Sequence, residues 1–130
     1  MILLDSHVVL WLADGVRNLS PAATVAIEAA RRDGSGLAIC DITLAELATG
    51  YARRRFTLTV PLETFLEETE SRFTVLPLTP RVCARAASLP PSFPHDPADR
   101  LIACTALVQG LPLVTADRAI RRTKLVRTIW

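Results

Sequence analysis

Four apolar runs too short to be helices, each handing over within a few residues to a helix signal, constrain this chain more than any other feature. Ile2 to Asp5, Leu37 to Cys40, Phe73 to Leu76 and Leu113 to Thr115 read as short buried strands. Ser6 to Ala13 carries apolar residues at helical spacing and closes at Asp14-Gly15. Ser20-Pro21 starts a helix running to Arg32, with Ser as the cap and Pro at the first helical position. Thr43 to Arg54 is predicted helical, with Leu44, Leu47, Ala48 and Tyr51 on one face. Leu62, Phe65, Leu66 and Thr69 share a face after Pro61, and Thr79-Pro80 caps a helix reaching Ser88. Ala98 to Gln109 is a helix ended by Gly110, Asp117 opens a short one, and Val126 to Trp130 reads as an edge strand. Strands alternating with helices in this way fold as an α/β domain with a mainly parallel sheet.

The chain has 130 residues, the length of one domain, and no repeat or internal linker divides residues 1–130. Half of it is hydrophobic and its mean hydropathy is +0.30. That is apolar for a small domain, so part of the surface is expected to be covered by a partner or a second copy. A formal net charge of +2 is too small to argue for nucleic acid by itself, so any such binding needs a local patch. Arg53-Arg54-Arg55 and the group Arg121, Arg122, Lys124 and Arg127 are the candidates. Cys40, Cys83 and Cys104 lack CxxC or Cys/His spacing and lie in apolar stretches, as core thiols in a reducing compartment would. A charge at position five without a basic leader argues against a signal peptide, and no apolar run approaches the roughly 20 residues of a membrane span. The expectation is a soluble cytoplasmic protein.

Taken singly, each acid has a structural explanation. Glu46 stands three after Thr43 in capping-box spacing, Asp96-Pro97-Ala98-Asp99 is a helix-start device, and Asp117 can cap its helix. Asp5 is the hardest to dismiss, because it closes an apolar strand where a buried carboxylate needs partners. Jointly the acids mean more. Ligands of an open parallel sheet sit at the carboxyl ends of its strands. Asp5 ends the first strand, Asp117 follows the fourth, and Glu46 and Asp99 fall in the first turns of helices beside them. Like charges brought together repel unless a cation holds them, and oxygen donors without His or Cys suit Mg²⁺ or Mn²⁺. Such an ion polarises a phosphoryl oxygen and supplies hydroxide, the outline of a phosphodiesterase. Two other acid-based α/β sites fit worse. A phosphoacceptor wants paired acids where Ser6 follows Asp5, and a dehalogenase-type phosphatase wants an acid where His7 stands.

Four blocks carry a family resemblance: Leu3-Leu4-Asp5-Ser6-His7-Val8-Val9-Leu10-Trp11-Leu12, Ile42-Thr43-Leu44-Ala45-Glu46-Leu47, His95 to Ala103, and Leu113-Val114-Thr115-Ala116-Asp117-Arg118. In order and approximate spacing the chain resembles the VapC-type toxins of the PIN-domain ribonucleases. The resemblance implies a three-layer α/β/α fold in which Asp5, Glu46, Asp99 and Asp117 match the family's acids. It implies cleavage of RNA with Mg²⁺ or Mn²⁺, homodimerisation, and neutralisation by a VapB-type antitoxin. The chain departs from the family in having Ala98 where a bulky aromatic is usual, a position that touches no candidate ligand. A catalytically silent relative that binds RNA or a protein is the alternative, and the four intact acids weigh against it.

The residues around these acids also have structural roles open to them. Thr115 is balanced between strand packing and orienting a carboxylate. Ser6 is read first as a helix start, Asp96 as a cap near the acids, and Arg100 as half of a structural ion pair rather than a phosphate contact. His7 is read as a packing residue, His95 as a solvated loop residue, and Trp11 as core or interface.

Overall fold

A computed structural model describes residues 1–130. Five strands, β1 (Ile2–Leu4), β2 (Leu37–Cys40), β3 (Thr74–Leu76), β4 (Leu113–Val114) and β5 (Thr128–Ile129), form one sheet in the order β3-β2-β1-β4-β5. All four pairings are parallel, so every strand ends on the same rim. The helices are α1 (Ser6–Asp14), α2 (Pro21–Arg32), α3 (Asp41–Ala52), α4 (Leu62–Arg72), α5 (Pro80–Ala87), α6 (Pro97–Gln109) and α7 (Arg118–Thr123). A short 3-10 turn at Val16–Asn18, absent from the sequence reading, links α1 to α2. None of these helices is long and apolar enough to cross a membrane.

The two-residue period of a strand builds the layers. β1 gives Leu3 to one core and Ile2 and Leu4 to the other. β2 does the same with Ala38 and Cys40 against Leu37 and Ile39. On the first face lie Val82 and Ala86 of α5, Ile102, Ala103 and Ala106 of α6, and Ile120 of α7. On the second lie Val8 and Val9 of α1, Ala23 and Ile27 of α2, and Leu47 of α3, with Phe65 of α4 against them. This is the expected α/β/α sandwich.

The helix starts follow sequence where a capping side chain exists. Ser20 and Thr79 accept from Ala23 N–H and Val82 N–H, each followed by a proline at the first position. α3 is different. It begins at Asp41, directly off β2, with Cys40 at the cap position and no capping bond from its side chain. Thr43 is therefore inside the helix, fully buried, with its hydroxyl unpaired, and the capping-box reading of Thr43 and Glu46 does not hold. Glu46 lies in the second turn rather than the first. Asp41 anchors this junction by accepting the Leu78 N–H at 3.0 Å through Oδ2.

Three further expectations change. Cys83 is exposed on α5, while Cys40 and Cys104 are the core thiols expected, and all three are free. Tyr51 is exposed and tilts against Phe56 at 6.0 Å instead of joining the apolar face of α3. Arg100 makes no ion pair. Its guanidinium donates to the carbonyls of Phe93 and Pro94 (3.4 and 3.1 Å) and of Ala86 and Leu89 (3.5 and 3.4 Å), and it lies 5.9 Å above the Phe93 ring. A planar donor fork can serve several carbonyls at once in a way an ammonium cannot. Arg100 thus pins the proline-rich loop that delivers α6 to the rim. Arg100→Lys is expected to lower unfolding free energy by about 1–3 kcal/mol in urea denaturation, the worth of hydrogen bonds to a charged donor. An unchanged midpoint would show that the loop holds without the fork.

Candidate active site

Asp5 is the first residue past the central strand and is only 2% exposed. Its backbone N–H donates to the Val114 carbonyl at 3.1 Å, so the pairing of β1 with β4 continues one residue beyond the strand. Its side chain caps α1, Oδ1 accepting the Ser6 N–H at 2.8 Å. Oδ2 accepts the Thr115 hydroxyl at 2.6 Å, and His7 Nδ1 stands 3.6 Å from the same oxygen. Both carboxylate oxygens therefore have partners, as a buried charge requires.

From Asp5 the arrangement extends in two directions. Thr115, fully buried, accepts the Asp117 N–H at 3.0 Å on the hydroxyl that donates to Asp5. Asp117 then caps α7, Oδ1 accepting the Ile120 N–H at 3.0 Å. On the other side the Ser6 hydroxyl donates to Glu46 Oε1 at 2.6 Å, joining α1 to α3. Ser6 therefore does more than start a helix, and Thr115 bonds the Asp5 carboxylate and the Asp117 backbone rather than merely filling space. Asp96 caps α6 by accepting the Asp99 N–H at 3.0 Å, so the helix-start device at Asp96-Pro97 forms as read. The Asp99 carboxyl itself has no hydrogen-bond donor.

The electrostatics show that these acids share one space. The Asp99 carboxyl is pushed up to about 7, first by burial and then by the negative charges of Asp96, Asp5, Asp117 and Glu46. Glu46 is also raised, chiefly by burial, with Asp5 and Asp96 adding and the Ser6 hydrogen bond and His7 opposing. No lysine or arginine forms an ion pair with any of the five. As placed, no three His, Cys, Asp or Glu side chains stand close enough to enclose an ion. The donor chemistry nevertheless fits a hard divalent cation: oxygen only, several negative charges, no lysine or arginine paired with them, and an Asp99 carboxyl left without a fixing bond.

Sequence reasoning missed His7. Its Nε2 accepts the Ala116 N–H at 3.1 Å, tying α1 to the turn between β4 and α7, and its ring meets Trp11 edge-on at 4.9 Å. Trp11 in turn lies 5.6 Å from Trp130. The available signal was position: two residues after Asp5, in the first turn of the same helix.

A parallel sheet in this strand order, sandwiched between helices and bearing acids from β1, α3, α6 and the β4–α7 turn on one rim, is the architecture of a PIN domain. Residues 2–125 match the PIN domain family, and the chain belongs to it. It is 41% identical to Ribonuclease VapC22 of Mycobacterium tuberculosis (strain ATCC 25618 / H37Rv), over 99% of this chain and 98% of that protein. Among solved structures it resembles DNA-bound VapBC from Salmonella typhimurium, with a TM-score of 0.73 and 22% identity over 98% of this chain and 97% of that one. A toxin-antitoxin complex from Klebsiella pneumoniae gives a TM-score of 0.63 and 22% identity over 90% and 87% of the two chains. At these identities the solved structures speak to the fold alone.

The raised Asp99 makes a prediction with a definite sign. Below about pH 4 the carboxyl is neutral in both folded and unfolded chains. Between there and about 7 the unfolded chain releases its proton while the folded one keeps it, so stability falls as pH rises. In EDTA, Asp99→Asn is therefore expected to raise Tm at pH 8 and to change it little at pH 4. An equal effect at both values would mean that burial and the neighbouring charges do not raise the Asp99 carboxyl.

Proposed function

We propose that the chain, acting as one PIN-like domain, is a divalent-ion-dependent endoribonuclease and the toxin of a VapBC-type toxin–antitoxin pair. The observation that carries the reading is the convergence of Asp5, Glu46, Asp99 and Asp117 on one rim with no lysine or arginine paired to them. The likeness to Ribonuclease VapC22 supports RNA as the substrate class. Asp5, Glu46, Asp99 and Asp117 would hold Mg²⁺ or Mn²⁺, with Asp96 beside them. When bound, such an ion supplies Lewis acidity to a phosphoryl oxygen and offsets the charge that builds up during attack.

The chain's own residues do the positioning. Thr115 and the Ser6 amide hold the Asp5 carboxylate in one orientation, and the Ser6 hydroxyl turns Glu46 toward it. Glu46 Oε2 and the unfixed Asp99 carboxyl remain open to ligand or proton. Water attacks phosphorus, the P–O3′ bond breaks, and the 3′ oxygen leaves with a proton, giving a 5′-phosphate and a 3′-hydroxyl. Arg118, Arg121 and Arg122 recur at helical spacing on α7, just past Asp117, and none has an acidic partner. They would meet the RNA backbone more directly than Arg53, Arg54 and Arg55 at the far end of α3.

The fold shared with a toxin-antitoxin complex and the likeness to a VapC protein support a VapB-type antitoxin as partner. The apolar composition supports a homodimer, and the free cysteines support a cytoplasmic site of action.

The test uses partner-free protein and total cellular RNA with Mg²⁺ or Mn²⁺, with EDTA, and with Asp5→Asn. Discrete fragments with 5′-phosphate ends are expected, lost in EDTA and in the folded variant. Arg122→Glu is expected to raise KM while the ion dependence stays in place. Products ending in 2′,3′-cyclic phosphate would overturn the water mechanism. Folded protein that binds RNA without cutting it would favour the silent relative instead.

A further inference from the structure

We infer that His7 is a positioning residue for this site: its imidazole holds the Ala116 amide and so fixes the turn that carries Thr115 and Asp117. The inference rests on the nuclease reading above and adds a residue to its machinery.

The hydrogen bond assigns the tautomer. Nε2 accepts the Ala116 N–H at 3.1 Å, so Nε2 bears no proton and the ring proton sits on Nδ1, which faces Asp5 Oδ2 at 3.6 Å. One ring thus contacts Asp5, at one end of the Asp5–Thr115–Asp117 chain, and Ala116, which lies between Thr115 and Asp117. On the far side of that chain Thr115 donates to Asp5 and receives the Asp117 N–H. Two neighbouring backbone amides, those of Ala116 and Asp117, are therefore each held by a side chain, one by His7 and one by Thr115. Remove the His7 bond and the Thr115 hydroxyl is the one side chain left bonding the Ala116–Asp117 amides.

The ring is itself restrained. Trp11, one helical turn along α1, packs edge-on against it at 4.9 Å, and Trp130 backs Trp11 at 5.6 Å. An imidazole used only for packing would not need its acceptor nitrogen aimed at a main-chain donor. Residues that orient ligating groups in this way are worth about 10–100-fold in metal affinity or activity when removed.

His7→Gln and His7→Asn separate this role from bulk packing. A glutamine oxygen reaches the place of Nε2, whereas an asparagine oxygen falls short of Ala116. The Asn variant is expected to lose about tenfold or more in kcat with KM nearly unchanged, and to bind Mn²⁺ alone about tenfold more weakly by calorimetry. The Gln variant is expected to recover most of both, and Ala116 amide exchange should be fast in Asn and slow in Gln. Equal behaviour of the two variants, or an Asn variant within about twofold of wild type in kcat and Mn²⁺ affinity, overturns the inference. Should wild type neither cleave RNA nor bind Mn²⁺, the nuclease reading falls, and the Ala116 exchange still decides whether His7 holds the turn. Should neither variant fold, wild-type imidazole ¹⁵N shifts decide: an accepting Nε2 supports the inference and a protonated one at pH 8 overturns it.

Discussion

The Asp5 carboxylate sits nearly sealed from water at the end of the central strand, and a buried charge in that position costs several kcal/mol unless its oxygens are bonded. One partner is local, the Ser6 amide at the start of α1, and one is distant in sequence, the Thr115 hydroxyl past the end of β4. Satisfying one side chain therefore ties the ends of β1 and β4 together at the start of α1. Glu46 follows through Ser6, and Asp117 follows through Thr115. The site is an outgrowth of the way the sheet rim solves the problem of Asp5.

That solution leaves a cost elsewhere. The Asp99 carboxyl is half-buried, receives no hydrogen bond and is surrounded by like charge, which is why it holds its proton to about 7. A fold selected only for stability would place an amide or an arginine there. Charge left unbalanced at a rim otherwise knit together by short hydrogen bonds is the electrostatic ground for the divalent ion proposed here. The Thr43 hydroxyl, buried and unpaired three residues before Glu46, is a smaller departure of the same kind, and nothing around it explains it.

Much of this was legible in the sequence because parallel strands end on one rim. Once Ile2–Leu4 and Leu113–Val114 read as buried strands, Asp5 and Asp117 had to lie on the same side of the sheet. Proline-assisted caps at Ser20, Thr79 and Asp96 marked helix starts because their side chains serve backbone amides locally. What was hidden depends on contacts distant in sequence. α3 begins without a turn or a capping side chain, so Thr43 drew attention away from Asp41. Arg100 is spent on carbonyls of a loop and of α5, which no charge pattern announces. The Ser6–Glu46 and His7–Ala116 bonds span 40 and 109 residues, and only the folded sheet brings them together.

The central claim is that these acids form the seat of a divalent ion. Anomalous diffraction from crystals of the partner-free protein soaked in Mn²⁺ tests it most directly. The account predicts a manganese peak bounded by the carboxylates of Asp5, Asp99 and Asp117 with Glu46 alongside, absent from Asp5→Asn crystals. Clear density for the four side chains with no manganese among them, in protein that still cleaves RNA, would contradict it.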